Sequence, residues 1–195
     1  MQIQRIINSV FTSNTFILTD ENSQDCWLVD VGDIDPIWDI IEKRIVKGVF
    51  LTHSHYDHIY GINKLVERFP ECMIYTSLHG KEGLFSDKLN FSRYHGDPIL
   101  FQGDHIRVLE EGDEISLFPG VVLKTIYTPG HDWSCMTYYT DNVIFTGDSY
   151  IPNIKVVTSL PKSNKVEAQV SLDRILEFCK NRDIYPGHNE IVERN

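Results

Sequence analysis

Short apolar runs rich in β-branched residues punctuate the chain. They predict strands at Ile3–Phe11, Thr15–Thr19, Cys26–Val31, Gly48–Thr52, Met73–Thr76, His105–Leu109, Val121–Tyr127, Ser134–Tyr139, Asn142–Thr146 and Asp183–Tyr185. The β component is therefore large. Helical spacing appears in DPIWDIIEKRIVKG, where Ile37, Ile40, Ile41 and Val46 can share a face, Pro36 suits the first turn and Gly48 follows the end. Two further helices are predicted, at Tyr60–Phe69 ahead of Pro70 and at Lys165–Lys180, whose Val166, Val170, Ile175 and Phe178 mark an apolar stripe. Between Asp87 and Asp104 the stretch LNFSRYHGDPILFQG is aromatic and turn-rich without a clean period, and it reads as an extended loop or lid.

Composition narrows the class. With 195 residues, 42% of them hydrophobic and 24% charged, the chain can bury a core without metals or disulfides, so a metal would serve function before stability. No linker rich in Gly, Ser or Pro divides it, and residues 1–195 read as one compact domain. No apolar run reaches bilayer length, and MQIQRIINSVFTSN lacks the marks of a signal peptide; the expected location is cytoplasmic, with no membrane partner. Cys26, Cys72, Cys135 and Cys179 lie far apart and read as free, buried thiols. A net charge of −10 opposes nucleic acid as a partner, because that affinity comes from cations on phosphates. Lys155, Lys162 and Lys165 leave room for a local anion-binding rim. Nothing in the pattern specifies an oligomeric state.

Four places share one grammar: an apolar strand, then a small or turn-forming residue, then a side chain able to hold a metal. They read VFLTHSHYDH, LKTIYTPGH, NVIFTGD and RDIYPGH, ending in His58, His131, Asp148 and His188. In sheets with helical connections, ligand sites gather beyond the carboxyl ends of strands, and Gly or Pro there lets backbones approach a shared centre. Five of the eight histidines fall at these ends, together with two aspartates, a donor set suited to zinc and open also to iron or manganese. His53 and His55, two apart in extended backbone, send both rings to one side and can grip one ion. Asp57 and His58 are adjacent, so they are expected to diverge from each other and from that pair, which suits a second ion. Only a carboxylate can bridge two ions, and Asp148 is the remaining candidate. His79, His95 and His105 have no such setting and read as surface or hydrogen-bonding residues.

These motifs resemble the metallo-β-lactamase fold superfamily in its glyoxalase II-like hydrolase branch: Asp30 in CWLVDVG, then His53, His55, Asp57 and His58, then His131 in TPGH, Asp148 in FTGD and His188 in PGH. The resemblance implies an α/β (α+β) architecture, a four-layer αββα sandwich with a dinuclear site at one edge. It places His53, His55 and His131 on one metal and Asp57, His58 and His188 on the other. Asp148 would bridge them, and Asp30 would stand behind the ligands. The implied cofactor is two divalent ions, zinc first and iron or manganese as alternatives, that activate a bridging hydroxide against a small-molecule thioester, ester or lactone. Asp57 and Asp148 are then the catalytic carboxylates, Asp57 orienting the hydroxide or passing a proton to the leaving group. The resemblance is imperfect. TPGHDWSC carries Asp132 and Trp133 where Thr or Ser and Pro are usual, the segment after Asp148 lacks the branch's GR-containing loop, and the chain ends seven residues after His188 without the cationic glutathione-binding helices. Glutathione specificity is therefore not expected. Trp133 and Tyr150, which follow ligand positions, and Phe91, Tyr94 and His95 in the lid are candidate substrate contacts, while Ser54 and Tyr56 are expected to be structural. Two other functions fit the same donors: a mononuclear iron, persulfide dioxygenase-like oxygenase, and a metal-binding protein without catalysis.

Overall fold

In the computed structural model, which describes residues 1–194, period-two alternation sorts the strand side chains onto two faces. The first sheet comprises β1 (Gln2–Ile7), β2 (Asn14–Thr19), β3 (Asp25–Val29), β4 (Ile45–Phe50), β5 (Met73–Thr76) and β6 (Ile106–Val108), in that spatial order. β1 to β3 pair antiparallel, and β3 to β6 pair parallel. Parallel neighbours need long crossovers. These carry the helices α1 (Asp35–Ile41), α2 (Tyr56–Ile59), α3 (Ile62–Arg68) and α4 (Leu78–Leu84). The second sheet contains β7 (Glu114–Phe118), β8 (Val121–Tyr127), β9 (Met136–Tyr139), β10 (Val143–Gly147) and β11 (Asp183–Pro186), with α5 (Lys165–Cys179) between the last two strands.

Two faces of the first sheet are apolar, which explains its near-continuous hydrophobic strands. Phe16, Leu18, Trp27, Val29 and Phe50 meet Leu117, Leu123, Met136, Tyr138 and Phe145 of the second sheet. Ile17, Cys26, Leu28, Val49 and Leu51 face the other way, onto Ile37 and Ile41 of α1 and Ile62 and Leu65 of α3. On the far side of the second sheet, Ile144 and Ile184 pack with Ile175 and Cys179 of α5. The layers are therefore α, β, β, α. Between the sheets Phe50 stacks on Tyr75 at 4.7 Å and on Trp27 at 5.5 Å, and the buried Tyr138 hydroxyl donates to the Leu51 carbonyl at 2.7 Å. That bond lashes the second sheet to the chain just before His53.

Several expected elements shift. Val46 is not on the helix: α1 stops at Ile41, and the β-branched pair Ile45–Val46 joins β4, opposite Asp25 and Cys26. Gly48 is not a helix stop either; a Cβ there would lie 2.6 Å from the Met73 carbonyl oxygen, so it permits close approach of β5. β1 ends at Ile7, because the chain turns through left-handed Phe11 and Thr12. The expected helix Tyr60–Phe69 is α3, while the turn α2 ahead of it, the strand β7 and the helix α4 were not foreseen. α4 hides behind Gly80 and Gly83, poor helix formers retained because side chains there would collide with Thr76 and Ser54.

The stripe on α5 is also corrected. Val166 and Val170 are 74% and 56% exposed, and the buried face is Ala168, Ser171, Ile175 and Cys179. A small face is needed where the helix crosses the loop before His131, since a Cβ on Gly130 would collide with the Ala168 backbone. Ile175→Ala should accordingly cost about 2–5 kcal/mol in urea denaturation, whereas Val166→Ala should change stability by no more than about 0.5 kcal/mol. A larger loss for the valine would restore the stripe.

Candidate metal centre

Strand direction brings the donors together. β8 and β10 both run antiparallel to β9, so they point the same way, and β11 runs parallel to β10. His131, Asp148 and His188, which follow these three strands, consequently leave one edge of the second sheet. β4 of the first sheet ends facing them, and the extended segment Leu51–His55 followed by the single turn α2 presents His53, His55, Asp57 and His58. Glycine is required at two of these exits. Gly147 has φ +50° and its Cβ would press 2.6 Å from Thr52, and a side chain on Gly187 would collide with Asp148.

All seven expected residues meet in three overlapping groups: His53, His55 and His131; His53, His58 and Asp148; and Asp57, His58 and His188. Within each group the ligand atoms lie no more than 4.8 Å apart. Asp148 touches both flanks, with Oδ2 3.6 Å from His131 Nε2 and 3.4 Å from His188 Nε2, and Oδ1 3.5 Å from His58 Nε2. Asp57 and His58 do not diverge as an extended backbone would require. The helical turn swings them together, Oδ2 to Nε2, at 3.4 Å.

Each imidazole is held from outside so that its other nitrogen faces the centre. His58 Nδ1 donates to Asp30 at 2.8 Å, His131 Nδ1 to the Val157 carbonyl at 3.0 Å and His188 Nδ1 to the Phe11 carbonyl at 3.0 Å. Thr52 gives its one hydroxyl proton to Asp30 at 2.7 Å, so at its 3.1 Å contact with His53 Nδ1 the oxygen accepts. His55 is turned the opposite way: Nε2 lies 3.4 Å from the Asp132 carboxylate, and Nδ1 faces His131 Nε2 at 3.1 Å. Among the described residues His53 Nε2, His55 Nε2, His58 Nε2, Thr76 Oγ1 and Asp148 Oδ1 are buried without a hydrogen-bond partner. Buried polar atoms left so are costly. Outer nitrogens bonded on His53, His58, His131 and His188, with unsatisfied atoms of His53, His58 and Asp148 turned inward, are what a bound cation completes, so the donor set fits divalent metal.

The charges of the bare protein follow the same geometry. Burial alone would lower the His58 pKa, but Asp57, Asp30 and Asp148 outweigh it and raise it to about 9; for His188 burial is outweighed by Asp148 and Asp57, to about 10. Asp148 goes well below the usual carboxylate range, since His188, His58, His131 and His53 overcome its burial. His53 is pushed well down by burial and by the neighbouring His58 and His55. Protons on His58 and His188 thus stand where cations belong.

Asp132 is the residue that sequence reasoning missed, having noted it only as a departure. Its carboxylate is buried, accepts from the Ser134 backbone N–H at 2.8 Å and from the Ser134 hydroxyl, and faces His55. Of the expected substrate contacts, Trp133 has both faces taken, by the His79 ring at 4.1 Å and Lys162 at 4.1 Å, and Tyr150 packs on the Ile144–Ile175 cluster. The Trp133 ring is thus covered, whereas Tyr150 also lines a small pocket with Ile154, Lys155 and Leu172. Lys162 lies over the Trp133 ring and remains exposed. Phe91, by contrast, packs on His55 at 4.8 Å. Ser54 lies against Ser134 and α4, as its structural role required.

Raised histidine pKa values stabilise the fold fully below the unfolded value of about 6.5, and that contribution is lost as pH climbs through about 9 and 10. The melting temperature of chelator-stripped protein should therefore fall from pH 7 to pH 10. Adding zinc at pH 7 should release protons, measurable as a buffer-dependent calorimetric heat. A flat melting profile and no release would contradict the assignment.

Known proteins resemble the chain in sequence and in fold. A hydroxyacylglutathione hydrolase of Psychromonas ingrahamii is 33% identical over 137 residues, 69% of this chain and 45% of that protein. The chain thus spans about half the length of most such relatives. A probable metallo-hydrolase of Streptococcus pyogenes is 29% identical over 200 residues, 96% of this chain and 84% of that protein. Among solved structures the BLEG-1 B3 metallo-beta-lactamase superposes with a TM-score of 0.86 over 97% of this chain and 93% of that one, at 22% identity, a likeness of fold. The sequence profile of the Metallo-beta-lactamase superfamily matches residues 11–188, the span that holds every donor described above, and the chain belongs to that superfamily.

Proposed function

We propose that residues 1–195 act as one catalytic domain, a hydrolase that holds two divalent ions, zinc first, and cleaves a small thioester, ester or lactone. The observation that carries this reading is Asp148, whose two oxygens reach donors on both flanks of the cluster. A carboxylate so placed can serve two ions, as an imidazole nitrogen cannot. His53, His55 and His131 would hold one ion, and Asp57, His58 and His188 the other. When bound, the pair supplies Lewis acidity, lowering the pKa of a water from about 16 toward about 7 and polarising an acyl carbonyl.

The chain's own groups do the rest. Asp30 and the Val157 and Phe11 carbonyls fix the imidazole tautomers, so no reorganisation is needed when charge develops. Asp57, buried but for 13% of its side chain and with its Oδ2 3.3 Å from His188 Nε2, is placed to orient the attacking water or pass a proton to the leaving group. No helix among the described residues is long and apolar enough to cross a membrane, which fits a cytoplasmic enzyme acting on a dissolved substrate. The imidazole–carboxylate set also accepts iron or manganese.

Metal analysis of protein reconstituted with zinc should give two ions per chain. After growth with both metals, one iron and no zinc would favour the oxygenase instead, and a protein that binds no metal would end both. Asp148→Ala should keep the fold by circular dichroism yet lose on the order of a hundredfold or more in S-acyl thiol hydrolysis. His53→Ala should lose one ion first, and equal metal content to the parent would refute the ligand assignment. Asp132→Asn should weaken metal retention about 10–100-fold in chelator competition, through the orientation of His55.

A further inference from the structure

Two segments far apart in sequence bring a patch of aromatic rings to the edge of the metal centre. The turn after β1 carries Phe11, and a short 3₁₀ turn, Ser92–His95, follows Phe91 and carries Tyr94. They meet where the Phe11 ring lies edge-on to His95 at 5.2 Å, and His95 in turn stacks on Tyr56, in α2, at 4.9 Å and 4°. Each segment also grips a donor. The Phe11 carbonyl accepts from His188 Nδ1, and the Phe91 ring sits 4.8 Å from the ring of His55. The aromatic rim is thus joined to both flanks of the centre, through the Phe11 carbonyl and the Phe91 ring, with the Tyr94 ring 6.4 Å from that of Phe91.

The rim is held in a costly form. Phe11 and Tyr94 are 60% and 65% exposed. Phe11, Thr12 and Phe91 all adopt left-handed backbone, with φ of +52°, +55° and +65°, a region that residues with a Cβ avoid and that clusters at ligand clamps. Packing that served only stability would turn such rings inward. Exposed rings on the two segments that hold His188 and touch His55 gain when a flat apolar group covers them.

We propose that this rim, Phe11 with Phe91, Tyr94 and His95, is the specificity site of the enzyme and takes an aryl or similarly planar apolar group of the substrate. This rests on the hydrolase reading above, and the substrate class it names is an aryl-bearing ester or thioester.

The test uses the zinc-loaded full chain and three probes: the acetyl and phenylacetyl thioesters of N-acetylcysteamine, and the acetyl thioester of thiophenol. Phe11→Gly and Tyr94→Ala should lower kcat/KM for an aryl probe on the order of tenfold more than for the acetyl aliphatic one. Which aryl probe responds tells whether the ring belongs to the acyl group or to the leaving thiol. Glycine tolerates φ +52°, so Phe11→Gly should melt no lower than the parent, which keeps a folding defect from imitating the result. Binding of phenylacetate and acetate by calorimetry needs no turnover. Phenylacetate should bind about tenfold tighter, and both variants should remove the difference. If no thioester is cleaved but that preference holds, the rim stands and the hydrolase reading falls. If thioesters are cleaved and the variants affect aryl and alkyl probes alike, the rim proposal is overturned. It is overturned equally if sedimentation shows a dimer that either variant splits while aryl preference is unchanged, because a second copy would then be what covers the rings.

Discussion

The buried carboxylate of Asp30 is the contact on which the centre depends. A carboxylate that is 1% exposed is expensive unless hydrogen-bonded, and here three donors meet it: the Thr52 N–H at 2.7 Å, the Thr52 hydroxyl at 2.7 Å and His58 Nδ1 at 2.8 Å. Reaching that position takes left-handed backbone at φ +57°, strain that a short polar side chain tolerates best. In return one residue at the end of β3 fixes the exit of β4, the tautomer of His58 and, through the Thr52 hydroxyl, the tautomer of His53. Loss of this carboxylate would reach two imidazoles at once.

Much of this was legible in the residues because it depends on local rules. Strand ends carrying Gly or Pro before His or Asp announced the donors, and the family motif ordered them. The errors arose where a distant partner overrode local period. Val46 follows the apolar series begun at Ile37 but falls half a turn away from it on a helix, and its β-branched side chain and the edge offered by β3 make it a strand residue. Val166 and Val170 look like a stripe, but the loop at Gly130 admits only a small face of α5, and no helical period can report the shape of a loop 38 residues upstream (168 − 130). α4 was masked by glycines whose reason lies in Thr76 and Ser54. Asp132 and Phe11 could not be ranked by sequence alone, for their meaning is a distance to His55 or a carbonyl aimed at His188.

The two flanks of the centre are supported differently. On the His131 side, the segment before α5 lends the Val157 carbonyl to the ring, and Ser163 donates to the His131 carbonyl at 2.6 Å, while Lys162 lies on Trp133. That side is occupied by the protein's own contacts. Beside His55 on that flank and His188 on the other stands the aromatic rim, whose Phe11 and Tyr94 are exposed. The ring of Phe11 can thus vary with substrate while its backbone carbonyl, which holds His188, stays in place.

His188 also closes the chain on itself. Ser13 bridges to it, Asn14 donates its backbone N–H to Gly187 at 2.7 Å and its side chain to the Pro186 and Asn189 carbonyls, and Arg5 pairs with Glu190 at 2.8 Å. These contacts join residues 172 and 175 positions apart. Loop closure over such spans is slow and comes late in folding. During synthesis the buried donors near His53 exist long before their last partner has emerged, so a partly made chain carries an incomplete set, and the finished centre records that both ends of the fold have met.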